Sequence, residues 1–185
     1  MNIYKKIITE SMKVLIFASI LSSFGGLSIK LVEEKLIMFV PLFIILPALN
    51  NMIGDFGIII VSKFTTHLYE QKIKRSSWRF HFVKHLFKDI FLAAIIATSY
   101  MVLMSIVLSK FRGFTADSDF VIKLFLTSLI VVIILVLIIF FISIGFGFYV
   151  YKKNKDHDDM VITITTSIAD LGSMAALSIL VYLFF

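Results

Sequence analysis

Two short stretches put a carboxylate where the neighbouring residues call for hydrocarbon. ALNNMIGDFGIII, residues 48–60, carries Asp55, and TTSIADLGSMAAL, residues 165–177, carries Asp170. The two share a local pattern, Ile53-Gly-Asp-Phe-Gly57 echoed by Ile168-Ala-Asp-Leu-Gly172. An ionised carboxylate at the centre of a bilayer costs ~2.5 to 3.5 kcal/mol on insertion scales, so it faces water, a counter-charge or a bound ion. The polar residues around the two acids, Asn50, Asn51, Thr165, Thr166 and Ser167, offer oxygen ligands. With no cysteine in the chain, thiolate sites are excluded. An all-oxygen set suits a hard cation such as Mg2+ or Ca2+. Two blander readings stand beside this one: Asp55 pairs with Lys63, eight residues on, or an acid keeps its proton and hydrogen-bonds a neighbouring helix.

The elements that must hold these residues are transmembrane helices. Of the 185 residues 59% are hydrophobic and only 16% charged, and the mean hydropathy is +1.00. Such a chain has too little polar surface to cover a soluble globule. Apolar runs of about 20 residues, enough to cross ~30 Å of hydrocarbon, recur at 14–29, 36–68, 90–109, 121–150 and 160–185. Unsatisfied backbone is costly in lipid, so each is expected to be a helix. The fold class is therefore an all-α integral membrane protein with five transmembrane helices. The second is expected to be interrupted around Pro41, Pro47 and NNMIGDFG. The first has basic flanks like a signal peptide, but Glu10 and Lys13 intrude and no A-x-A site follows, so it reads as a retained helix.

Orientation follows from the basic residues. Lys5, Lys6 and Lys13, the cluster from Lys72 to Lys88, and Lys152, Lys153 and Lys155 put twelve of the 18 basic residues on one side. The N-terminus is then inside and the C-terminus outside. At ~1.5 Å per residue, Asp170 lies ~16 Å from the inner end of its segment and Asp55 at a similar depth on an antiparallel helix. The echoed motifs are expected to face one cavity.

LPALNNMIGDFGIIIVSKFTTHLYE resembles the second transmembrane helix of the MgtE and solute-carrier magnesium transporters, in which a proline and a short apolar stretch precede Gly-Asn-x-Gly. DHDDMVITITTSIADLGS is similar to the last helix of that family, where an acidic loop leads into Thr-Thr/Ser-x-x-Asp. Family members have five helices per unit, so the resemblance spans essentially the whole chain. It implies passage of Mg2+ or a related divalent cation through a pore between two five-helix units. On the matching motif Asp170 takes the role of pore carboxylate, and Thr166, one turn earlier, lines the path with its backbone carbonyl. Asp55 stands where the family pattern has asparagine, adding a negative charge, and Asn51 lies beside it. The candidate metal-facing residues are thus Asp170, Asp55, Thr166 and Asn51. The whole chain reads as one membrane unit. Met1 stands a short arm before the first helix, so no soluble regulatory domain of the bacterial type is expected.

One Asp55 and one Asp170 are too few ligands to enclose a divalent cation, and a two-fold axis supplies two of each. A homodimer holding a partly hydrated ion fits, with Gly54, Gly57, Ala169 and Gly172 allowing close helix approach. The expected partners are a divalent cation, membrane lipid and a second copy of the chain, without a resident cofactor or nucleic acid. WRFHFVKHLFKD, residues 78–89, reads as an interfacial helix on an anionic leaflet. Within it His81, His85 and Asp89 share one face at possible metal-ligand spacing. KKNKDHDD, residues 152–159, could gather cations at one mouth, as Glu33 and Glu34 could at the other. No nucleophile with its base, phosphate loop or nucleic-acid surface is present, so an enzyme is not expected. The alternative to a transporter is a non-transporting membrane subunit, such as half of a heterodimer.

Overall fold

In the computed structural model, residues 3–69, 76–152 and 157–185 are described, with the side chains of 3–11, 69, 76–80, 150–152 and 157–161 set aside. They form six helices: α1 (Ile3–Lys30), α2 (Glu33–Met38), α3 (Val40–Tyr69), α4 (Ser76–Lys110), α5 (Ser118–Lys152) and α6 (His157–Phe184). Five are long and apolar enough to cross a membrane, over Met12–Lys30, Val40–Leu68, His81–Lys110, Ser118–Tyr149 and Ile162–Phe184. Helices are the element that satisfies its own backbone in hydrocarbon, and each coincides with one of the apolar runs.

Two elements depart from the sequence reading. The interruption of the second segment falls at Phe39 (φ −106°, ψ 86°), which separates α2 from α3. From Val40 the helix runs unbroken through Pro47 and the NNMIGDFG stretch. Proline lacks an N–H and its ring crowds the preceding turn, so Pro41 cannot continue α2 but is tolerated in the first turn of α3. Buried Val32 and Leu36 fix the α2 turn against the core. The aromatic and basic stretch at 78–89 is not a separate interfacial helix either. It forms the first turns of α4, which continues to Lys110 because no glycine or proline stops it. The basic loop residues Lys72, Lys74, Arg75, Lys153 and Lys155 lie outside the described residues.

The helix α6 is the hub. It packs on α1, α3 and α5, while α4 closes the other side against α3 and α5. The core is built from Leu42, Ile45, Leu49, Ile53 and Ile60 of α3, Val131, Val132, Val136 and Ile139 of α5, and Ala169, Leu177 and Val181 of α6. Val132, Val136 and Ile139 of α5 follow one another at four and three residues, the spacing of one helix face, and Val131 widens that face by one position. Small residues allow the closest contacts. A Cβ on Gly57 would meet Thr165 Cγ2 at 2.7 Å, and one on Gly25 would lie 3.2 Å from the Leu171 Cα. Gly54 has no such neighbour. Helix α1 packs chiefly along α6 and leaves Leu15, Ile16, Phe17, Ile20, Phe24 and Leu27 exposed. That pattern suits a helix at the rim of the bundle facing lipid.

Candidate metal-facing site

Asp170 is half-buried on α6, next to fully buried Ala169. Its two carboxylate oxygens are held by different helices. Oδ1 accepts a hydrogen bond from Asn50 Nδ2 of α3 at 2.9 Å, and Oδ2 accepts one from Ser22 Oγ of α1 at 3.0 Å. Buried Ser173, one turn on, donates to Asn50 Oδ1 and approaches the Asp170 carbonyl at 3.1 Å. The Asn50 amide is therefore oriented by having its oxygen occupied, so its nitrogen points at the carboxylate. Both donors to Asp170 are neutral. Among the described residues no lysine, arginine or histidine pairs with it.

The local geometry follows from the α3–α6 register. Asn50 meets Asp170 and Ser173, and Gly57 meets Thr165, as two antiparallel helices require. Asp55, five residues beyond Asn50, thus lies roughly 7 Å along the axis from the Asp170 level. It also points elsewhere, because Asp55 is exposed and bonds to no other described residue. The two carboxylates sought together in one cavity are therefore not joined within one chain. Lys63, the other partner considered for Asp55, is exposed and forms no ion pair with it. Asp55 instead belongs to a stripe on α3, with Asn51, Ser62 and Thr66 exposed along it and Ile58 and Ile59 between them. Thr66 Oγ1 is turned back onto the Ser62 carbonyl at 2.8 Å.

Asn51, adjacent to Asn50 but about 100° around the helix, is exposed and does not reach Asp170. Thr166 is half-buried, and its hydroxyl donates to the Ile162 and Thr163 carbonyls at 3.0 Å each. That leaves the side chain turned inward on its own helix. Of the residues that build the Asp170 environment, Asn50 stood among the polar residues flanking the acids but outside the metal-facing set, and Ser22 and Ser173 were in neither. The Asn50-Asn51 doublet was visible in the sequence, but either member could face α6. Nothing in the sequence linked Ser22 to a residue 148 positions away.

Among the described residues, no three His, Cys, Asp or Glu side chains come together as a metal cluster. One chain thus offers a carboxylate pre-oriented by neutral donors, with lone pairs left to accept from the water shell of a divalent ion. Gly57, Gly172 and buried Ala169 bring the helices around it close together, whereas Gly54, grouped with them in the sequence, does not.

Comparison with curated proteins and with solved structures gives no match. The family model described as MgtE, divalent cation transporter, matches residues 46–180. That range contains Asn50, Asp55, Thr166, Asp170 and Ser173, and leaves out α1 with Ser22. It covers most of the chain, and with five membrane-spanning helices in place the protein belongs to the MgtE family of divalent cation transporters and is a multi-pass membrane protein.

Proposed function

We propose that this transporter carries Mg2+ through a pore on the two-fold axis of a homodimer, with Asp170 as the principal ion-facing group and Asp55 contributing from the exposed face of α3. The observation that carries this reading is that neither carboxylate has a cationic partner among the described residues, although both lie within membrane-spanning helices. A carboxylate facing lipid is penalised by several kcal/mol. The stripe of Asn51, Asp55, Ser62 and Thr66 is thus better placed along water or against a second copy than in hydrocarbon. A second chain also supplies a second Asp170 and Asp55, which raises the oxygen count toward what a partly hydrated Mg2+ needs. Thr166 contributes its carbonyl along the path, and Asn51 an amide oxygen near Asp55.

Flux of Mg2+ and of other divalent cations into liposomes containing the purified protein tests the reading. Metal-dependent uptake that disappears in Asp170→Asn supports it. A wild-type protein without flux, or a conducting Asp170→Asn, overturns it. Because the chain has no cysteine, Ile59→Cys gives a clean single-cysteine probe of the dimer. A disulfide between copies in membranes is expected, and cysteines that stay monomeric under oxidation would overturn the two-fold arrangement on this face.

A further inference from the structure

The imidazoles of His81 and His85 lie one turn apart on the exposed face of α4, at the end of the bundle where α3 finishes and α4 begins. Their Nε2 atoms approach to 3.0 Å, with ring centroids 4.5 Å apart and planes inclined at 66°. One Nε2–H then donates to the lone pair of the other, so the two nitrogens that could act as ligands already converge on one point. A tetrahedral ion with Zn–N bonds of 2.0–2.1 Å separates two such nitrogens by ~3.3 Å. The observed pair needs to open only by about a third of an ångström, within reach of a small side-chain rotation.

We infer that His81 and His85 form a two-imidazole site for a borderline divalent transition ion of the Zn2+ class, separate from the Asp170 locus. Imidazole nitrogen suits Zn2+, Ni2+ and Cu2+, whereas Mg2+ takes oxygen. The site therefore selects against the ion proposed for the pore. His81 opens the membrane-spanning part of α4, which puts the chelate at a mouth of the bundle rather than along its interior. Two protein ligands leave the remaining positions to water, giving a labile site. The sequence had offered Asp89 as a third ligand, but the three do not form a cluster. Lys84, Lys88 and Asp89 are exposed nearby. The lysines oppose an incoming cation, but between exposed groups that repulsion is screened by salt. His67 of α3 does not join the pair, because its ring is stacked on Phe82 at 3.7 Å.

The test is Zn2+ binding to the purified full-length protein in detergent, read by competition with a chelating dye in the presence of millimolar Mg2+. One equivalent per chain is expected to depend on the pair, with His81→Ala and His85→Ala each weakening it by at least about tenfold. Asp89→Asn and Asp170→Asn should retain it, so this result is independent of the pore reading. Zn2+ should also protect the wild type, and not His85→Ala, from imidazole modification by diethylpyrocarbonate at these positions. Unchanged binding in a folded His81→Ala/His85→Ala variant, or displacement of Zn2+ by Mg2+, would overturn the inference. Melting curves matching wild type establish that the variants are folded.

Discussion

The two Ile-x-Asp-x-Gly stretches are alike in sequence and opposite in surroundings. Asp170 sits where three helices meet, each carboxylate oxygen accepting from a different neighbour. Asp55 sits on an exposed helix face with no bond to a described residue. The glycines behave in the same divided way. A Cβ on Gly57 would press on Thr165 and one on Gly172 on Leu135, while one on Gly54 would meet nothing within 4 Å. A helix shows each side chain to one direction only, so an identical motif can be a finished site on one helix and half of one on another. Asp170 is oriented by its own chain. Asp55 has no partner among the described residues, which leaves it to water, an ion or another molecule.

The largest expected effect separates the two acids by function. Asp170→Ala and Asp170→Asn should both abolish divalent-cation flux, and the thermal stabilisation that Mg2+ gives the wild type by mass action should vanish with it. Asp170→Asn keeps an acceptor oxygen for one of its two donors and removes the charge, so its metal-free melting temperature should stay close to wild type. Breaking a buried ion pair behaves differently, because stranding the partner charge costs ~3 to 5 kcal/mol. A metal-free Asp170→Asn protein destabilised on that scale would mean that Asp170 serves the fold through a cationic partner.

Asp55→Asn should act less severely. It leaves the protein folded and conducting, with a changed order of preference among Mg2+, Mn2+, Ca2+ and Co2+, because one negative charge per chain leaves the path while an oxygen ligand remains. Flux profiles superimposable on wild type for every metal would remove Asp55 from the path and leave Asp170 alone in it.

The glycines sharpen the comparison through stability rather than flux. Gly57→Ala forces a methyl to within 2.7 Å of Thr165 Cγ2, and overpacking of this kind costs about 1 to 3 kcal/mol. Gly54→Ala meets nothing within 4 Å and gains helix propensity, so it should be neutral or slightly stabilising. Thermal unfolding in detergent reads both. Equal effects at the two positions would show that α3 and α6 are not pressed together at Gly57.

How far these features could be read from sequence depends on the distance over which they are determined. The five spans were legible because each is a run of apolar residues set by hydrocarbon thickness, and the family was legible in the two motifs around Asp55 and Asp170. Pro41 and Pro47 both looked like breaks, but only Pro41 marks one, standing in the first turn of α3 just after the break at Phe39, where its missing N–H costs nothing, while Pro47 is carried inside α3. The start of α4 was hidden because amphipathic and membrane-spanning turns of one helix differ in composition but not in backbone. The choice between Asn50 and Asn51 turns on about 100° of rotation, which is fixed by how α3 seats against α6. Ser22 could not be found at all, since its role depends on α1 lying against α6, a tertiary contact with no local signal.

That contact supplies the smallest and most specific test. Ser22→Ala removes the donor to Asp170 Oδ2 and leaves the Asn50 bond to Oδ1 in place. A hydrogen bond to a charged group contributes about 1.5 to 3 kcal/mol, but Ser22 and Asp170 are only half-buried, so water can take over part of the task and a loss nearer 1 kcal/mol is expected. Flux should fall by a few-fold rather than disappear, because the carboxylate remains and only its orientation loosens. The decisive measurement is the double variant. If the Ser22 hydroxyl acts through the carboxylate, Ser22→Ala should cost much less in the Asp170→Asn background than in wild type, since the amide is uncharged and can turn its oxygen toward Asn50. Two residues in direct contact are expected to show such coupling, whereas independent sites add. Strict additivity would mean that α1 supports the bundle by packing alone, and that orienting the Asp170 carboxylate falls to Asn50 and Ser173.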